Sequence, residues 1–182
     1  LALLAISEKA WRFNKNATLP RYYFDLAKEL KNLLKNTSAY TPAISFIIGL
    51  NESLTMMEEE GREQVFDRHR RMALATRAGA ESLGLSLYPK GIPALCLTAV
   101  LPPDGMSADT ITKGIYNDFG IKLGGGQDEL KGKIFRIGHM GYYDQFYIAS
   151  VFTALEQTLR KLGYTKFESG VSLKRSMEVY HA

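Results

Sequence analysis

Residues 131–144 read KGKIFRIGHMGYYD. Ile134, Phe135 and Ile137 are apolar, and Gly132, Gly138 and Gly141 punctuate both flanks, which predicts a short strand leaving one turn and ending in another. Arg136 stands in the middle of that strand. A guanidinium stays charged at any ordinary pH, and burying one without a partner is costly. An anion must therefore face it. That anion is either an internal acid, such as Asp144 or Glu129, or something the protein binds.

Outward from this strand the chain alternates. "DQFYIASVFTALEQTLRKLG" reads as an amphipathic helix capped at Asp144 and ended by Gly163. Upstream, "IKLGGGQ" reads as an edge strand running into a glycine turn, and "SADTITKGIYNDFG" as a helix from a Ser107 cap to Gly120. "LSLYP" and "ALCLTAVLP" read as strands. This order predicts a small sheet covered by helices on one face. Two long helices precede it, from about Ala43 to Glu60 and from about Arg62 to Leu83, with a break in architecture near Gly61. Further upstream, "LPRYYFDLAKELKNLLKN" has Phe24, Leu26, Leu30, Leu33 and Leu34 near helical spacing, with Asp25 as a cap. "SEKAWRFN" predicts a single helical turn capped at Ser7, and "LALLAIS" reads as a short buried strand, although its Ala and Leu would equally suit a helix. The tail "FESGVSLKRSMEVYHA" carries no clear pattern and reads as an arm or a partly disordered segment. The apolar opening, without an initiator Met, reads as the middle of a longer protein.

Composition narrows the function classes. The 182 residues are 46% hydrophobic and 23% charged, ordinary for a globular chain and against disorder. A net charge of +4 with no Lys/Arg cluster among aromatics argues against nucleic-acid binding. The apolar runs are too short for a membrane span. The single cysteine, Cys96, excludes an internal disulfide and an all-cysteine metal or cluster site within the chain. A cytoplasmic protein is the expectation.

Few residues carry chemistry by type and spacing. "GGGQ" (Gly124–Gln127) lacks the spacing of a phosphate loop and reads as a tight turn. His69 and His139 have no second His or Cys at ligand spacing, so no metal site is expected. Cys96, within "PALCLTAV", reads as a packed thiol rather than a nucleophile. Tyr40 and Thr41 lie in a loop just before a helix, either as a capping loop or as an anion site at the helix N-terminus.

Taken in order from about residue 1 to residue 163, "LALLAISEKAW", "LPRYYFDL", "YTPAIS", "EEEGREQVFDRHRRMALATRAG" and "KIFRIGHMGY" resemble class V aminotransferases of the alanine–glyoxylate (serine–pyruvate) group. Some members of that group are named as a tritium-exchange subunit of a soluble hydrogenase. The resemblance implies an α/β fold: the C-terminal portion of a fold type I transferase that uses pyridoxal 5′-phosphate and works as a homodimer. Residues 1–60 would be the end of the large cofactor-binding domain, and residues 61–182 the small C-terminal α+β domain. It implies transamination between alanine or serine and glyoxylate or pyruvate, with Arg136 holding the substrate carboxylate. It also implies that Thr41, with Tyr40 beside it, reaches the cofactor phosphate of the other subunit. The Schiff-base lysine and the aspartate facing the pyridine nitrogen would lie upstream of Leu1, in the N-terminal half of the protein. "SEKA" (Ser7–Ala10) mimics the lysine motif, but Lys9 aligns with a later, non-catalytic position, so this chain alone is expected to be inactive. The rival expectations are an aminophosphonate transaminase and a non-catalytic subunit that keeps the fold for protein contacts.

Overall fold

The computed structural model describes residues 1–182. The chain divides into two compact units, Leu1–Glu60 and Gly61–Ala182.

The first unit is helical. Helix α1 (Glu8–Lys15) starts where the Ser7 hydroxyl accepts the Ala10 amide at 3.2 Å, and it runs for two turns rather than the single turn expected. Helix α2 (Leu26–Leu33) starts where the Asp25 carboxylate accepts the Ala27 and Lys28 amides. Helix α3 spans Ile44–Glu60. No residue of these three helices is buried within the chain. The expected N-terminal strand does not form: Leu1–Ile6 pairs with nothing, and Leu3 is 78% exposed. A strand must hand its backbone N–H and C=O groups to a neighbour, and this unit contains no second strand.

The second unit has a core. Helix α4 (Arg62–Ser82) follows Gly61, whose φ of +89° is one that glycine adopts without a steric cost. Strands β1 (Leu97–Val100), β2 (Gly124–Gly125) and β3 (Phe135–Gly138) form an antiparallel sheet in the order β1-β3-β2. Helix α5 (Ala108–Phe119) lies between Ser107, which caps its start, and Gly120 in the left-handed region. Helices α6 (Gln145–Lys161) and α7 (Val171–Tyr180) complete the unit. Phe135 and Ile137 point into a core shared with Met72, Ile111, Ile115, Phe152 and Leu155. Burying side chains of this size removes roughly 1.5–3 kcal/mol of apolar exposure each, and that holds the sheet against its helices.

Three expectations are corrected here. "LSLYP" contributes a single bridge, Leu87 to Val100, instead of a strand. The edge strand shrinks to Gly124–Gly125. The patternless tail is helix α7, packed on α4 and α6. Its buried face is Ser172, Ser176 and Tyr180, spaced by four and mostly polar, so a search for apolar periodicity passes over it. Its start is capped from a distance. Glu156 on α6 accepts the Gly170 amide at 2.7 Å, the Ser172 amide at 3.0 Å and the Ser172 hydroxyl at 2.6 Å. The free amides of a helix start favour such a carboxylate.

Candidate functional site

Register places Arg136 between two small residues. Its cross-strand neighbours are Ala99 on β1 and Gly124 on β2, so the three share one face of the sheet. Phe135 and Ile137, one residue to either side, face the core. Arg136 is half-buried on the opposite face. Its Nε donates to the Gly125 carbonyl at 2.9 Å. A Cβ on Gly124 would stand 3.3 Å from that Nε, so the glycine leaves room for the side chain to lie across β2. Neither terminal nitrogen of the fork pairs with a carboxylate of the chain. The internal partners considered from sequence are engaged or distant. Asp144 caps α6, accepting the Phe146 and Tyr147 amides at 3.0 and 3.2 Å, and Glu129 is exposed in a short 3-10 turn. Within these 182 residues, neither of those two acids pairs with the guanidinium. The arginine presents a charged planar fork at an open face.

The second feature lies in the first unit. The Tyr40 hydroxyl donates to the Tyr22 carbonyl and accepts from Lys28 Nζ at 3.1 Å. That ammonium also lies 4.3 Å from the Tyr40 ring centroid, and this cation–π contact with the hydroxyl bond holds the ring against α2. The hydrogen bond to Tyr40 raises the Lys28 pKa above its ordinary value, burial opposing it. Tyr40 thus spends its only O–H on the segment that precedes α2. Thr41, next along, is exposed. Beyond it α3 begins, and the Ser45 and Phe46 amides of its first turn donate to no backbone carbonyl. Tyr40 and Thr41 belong to one loop, and Arg136 belongs to the other unit.

The remaining candidates fall elsewhere. His139 is buried on the core side, its Nε2 3.0 Å from the Thr98 hydroxyl. Burial lowers its pKa from 6.5 to about 4, with the positive charge of Arg77 contributing. Cys96 is a half-buried free thiol. Lys9 is exposed on α1. No three His, Cys, Asp or Glu side chains gather as a metal-binding group, and no helix is long and apolar enough to cross a membrane. Sequence reasoning missed the contacts of Arg68 and His69 with the loop after β3. Their only signal was helical placement, which does not reveal a partner more than seventy residues away.

No protein-family model matches the chain. Individual relatives do. The chain is 41% identical over 179 residues to the soluble hydrogenase small subunit of a Synechococcus species, covering 98% of this chain and 47% of that protein. It is 34% identical over 178 residues to the serine–glyoxylate aminotransferase of Hyphomicrobium methylovorum, covering 96% and 42%. Among solved structures, the pyridoxamine–pyruvate aminotransferase of Mesorhizobium loti matches with a TM-score of 0.85 at 31% identity, over 96% of this chain and 46% of that one. The fold is accordingly part of an α/β, fold type I aminotransferase. The chain belongs to the class V aminotransferase family, in the alanine–glyoxylate and serine–glyoxylate group that also includes soluble hydrogenase small subunits. It spans about half the length of the curated relatives it matches.

Proposed function

We propose that the intact protein moves an amino group between alanine or serine and glyoxylate or pyruvate. The observation that carries this reading is the Arg136 fork, charged and half-buried on an open sheet face without an internal carboxylate, in a chain of an aminotransferase family. Amino donors and keto acceptors of this kind share a carboxylate beside the reacting carbon. A guanidinium matches it with two parallel N–H···O bonds. Because Gly125 already holds Nε, the plane of the fork is set, and a bound substrate is oriented rather than merely attracted.

The cofactor in this reading is pyridoxal 5′-phosphate, which when bound withdraws electrons from the substrate so that its α-proton can leave. The first unit fits the phosphate. The exposed Thr41 hydroxyl, the two unpaired amides and the positive end of the α3 dipole together suit a dianion. Tyr40, its O–H committed to Tyr22, serves by holding the loop that presents Thr41. In a homodimer this loop would serve the neighbouring subunit. Residues 1–60 are then the end of the large domain and residues 61–182 the small domain, and the lysine that moves the proton lies outside these 182 residues. We place the intact protein in the cytoplasm.

Arg136→Ala in the intact protein tests the assignment. Losing one side of a charge-assisted bidentate pair should lower kcat/KM by about 30- to 1000-fold for donor and acceptor alike, with cofactor affinity nearly unchanged. Unchanged kinetics would make Arg136 a structural residue. A panel of donors and acceptors, aminophosphonates included, then identifies the substrate pair. The 41% identity to a hydrogenase small subunit favours one other reading, a subunit that keeps the fold without catalysis. Cofactor absorbance and amino-group exchange by the purified intact protein separate the two.

A further inference from the structure

Beyond β3 the chain reaches α6 through residues 139–143, where Met140 is 66% and Tyr142 79% exposed. An exposed connection of this kind is ordinarily among the more mobile parts of a fold. Here its backbone is gripped by two consecutive side chains of α4. The Gly141 amide donates to His69 Nε2 at 3.1 Å, and the Gly141 carbonyl accepts from Arg68 at 2.7 Å. The same Arg68 nitrogen donates to the Tyr143 carbonyl at 3.1 Å. His69 is itself aimed. Its Nδ1 lies 2.7 Å from the Val65 carbonyl, a contact only an N–H can make, so Nε2 keeps the lone pair that receives Gly141. Gly141 has a φ of +100°, a conformation that glycine adopts without a steric cost. On the other side, the His139 amide donates to the Cys96 carbonyl at 3.1 Å. The C-terminal end of β3 is thus tied to the stretch entering β1 and to α4.

We infer that Arg68 and His69 are positioning residues for substrate binding, holding β3 and its Arg136 fork at one height and orientation through the backbone of Gly141. This rests on the reading of Arg136 given above. The physical link is short: Arg136 and Gly141 are five residues apart on a strand and the loop that ends it. Releasing one end of that segment lets the fork sample orientations that cannot meet a carboxylate with both nitrogens.

The test uses His69→Ala and His69→Gln in the intact protein. His69→Ala should raise KM for amino donor and keto acceptor together by about 5- to 30-fold, the scale of one or two lost hydrogen bonds, with kcat changed less than about twofold. Cofactor affinity should not move. His69→Gln, whose amide oxygen can still accept the Gly141 N–H, should bring both KM values back to within about threefold of the parent. An unchanged KM in His69→Ala overturns the inference. So does a KM loss that Gln leaves unrepaired while the melting temperature falls, because that pattern marks a purely structural histidine. Arg136→Ala run in parallel separates the two ideas. A KM effect there without one in His69→Ala sinks the positioning role alone, whereas no effect in either variant sinks the reading of Arg136 and this inference with it.

Discussion

Arg136 and His139 stand three residues apart, yet they face opposite sides of one small sheet. The arginine lies half-buried on the face away from the core, its Nε bonded to the Gly125 carbonyl. The histidine is buried neutral beside Thr98, its pKa lowered to about 4 by burial and by nearby Arg77. That has a consequence for stability. In the unfolded chain a histidine takes up its proton near pH 6.5, whereas the folded ring resists until about pH 4. Between those values the unfolded state binds more protons, so folding stability is fully present above pH 6.5 and falls as pH drops toward 4. The slope is about 1.4 kcal/mol per pH unit, for a total of about 3 kcal/mol. Urea unfolding at several pH values should show this loss, and His139→Gln should abolish that part of the slope. A parent protein equally stable at pH 7 and pH 4.5 would contradict it. The polarity of both residues was legible in sequence. Their opposite facing was legible only in part, because alternation along a strand sets which residues share a side but not which side meets the core.

At the level of elements, α7 shows how a helix can hide from sequence. Its buried residues Ser172 and Ser176 lack the apolar signature, and its cap comes from Glu156 on another helix. The contact it makes with α4 depends on Gly79. A Cβ there would stand 2.2 Å from Ser176 Oγ and 2.5 Å from two ring atoms of Phe152. Gly79→Ala would ordinarily favour the helix by up to ~1 kcal/mol, but overpacking at these distances costs about 1–3 kcal/mol or more. The clash wins. We expect a net loss of stability on thermal unfolding, with α7 the element that loosens first by hydrogen exchange. Ser176→Ala should go the other way. Its hydroxyl is buried and makes no hydrogen bond, so removing it should be neutral or stabilising by about 1 kcal/mol. A destabilised Ser176→Ala variant would show that this hydroxyl has a partner.

Across the whole molecule, the two units differ in how they satisfy their own side chains. The unit Gly61–Ala182 encloses a core that runs from Met72 to Tyr180. In the unit Leu1–Glu60, helix α3 leaves Ile44, Phe46, Ile47 and Ile48 exposed. Apolar side chains left exposed around a helix in this way call for a cover. Under the homodimer reading, the cover is the rest of the protein and its second subunit. The Thr41 loop then supplies part of the neighbour's phosphate site, and two-fold symmetry makes the contribution reciprocal. Cofactor retention should therefore fall together with dimer dissociation when the intact protein is diluted, read as cofactor absorbance across gel-filtration peaks. Thr41→Ala should weaken retention by roughly 1–2 kcal/mol, the scale of one hydrogen bond to a charged group, without unfolding the protein. Monomers that hold the cofactor as tightly as dimers would exclude a shared site.

Sequence by itself determined the local events. Caps at Ser7, Asp25, Ser107 and Asp144, the long helices on either side of Gly61, and the short strand around Arg136 follow from interactions within a few residues. It also posed the question of an unpartnered arginine, and its motifs pointed to the family. Only the tertiary structure decided that Asp144 caps α6 and does not pair with Arg136, because whether it meets a guanidinium or a helix start depends on where α6 begins in space. It alone turned the tail into a helix and denied Leu1–Ile6 its strand. The partners of the tail, α4 and α6, are contributed by other elements of the fold, and Leu1–Ile6 meets no strand in its own unit. Backbone groups take whatever partner the fold brings within reach, and local sequence does not encode partners it never touches.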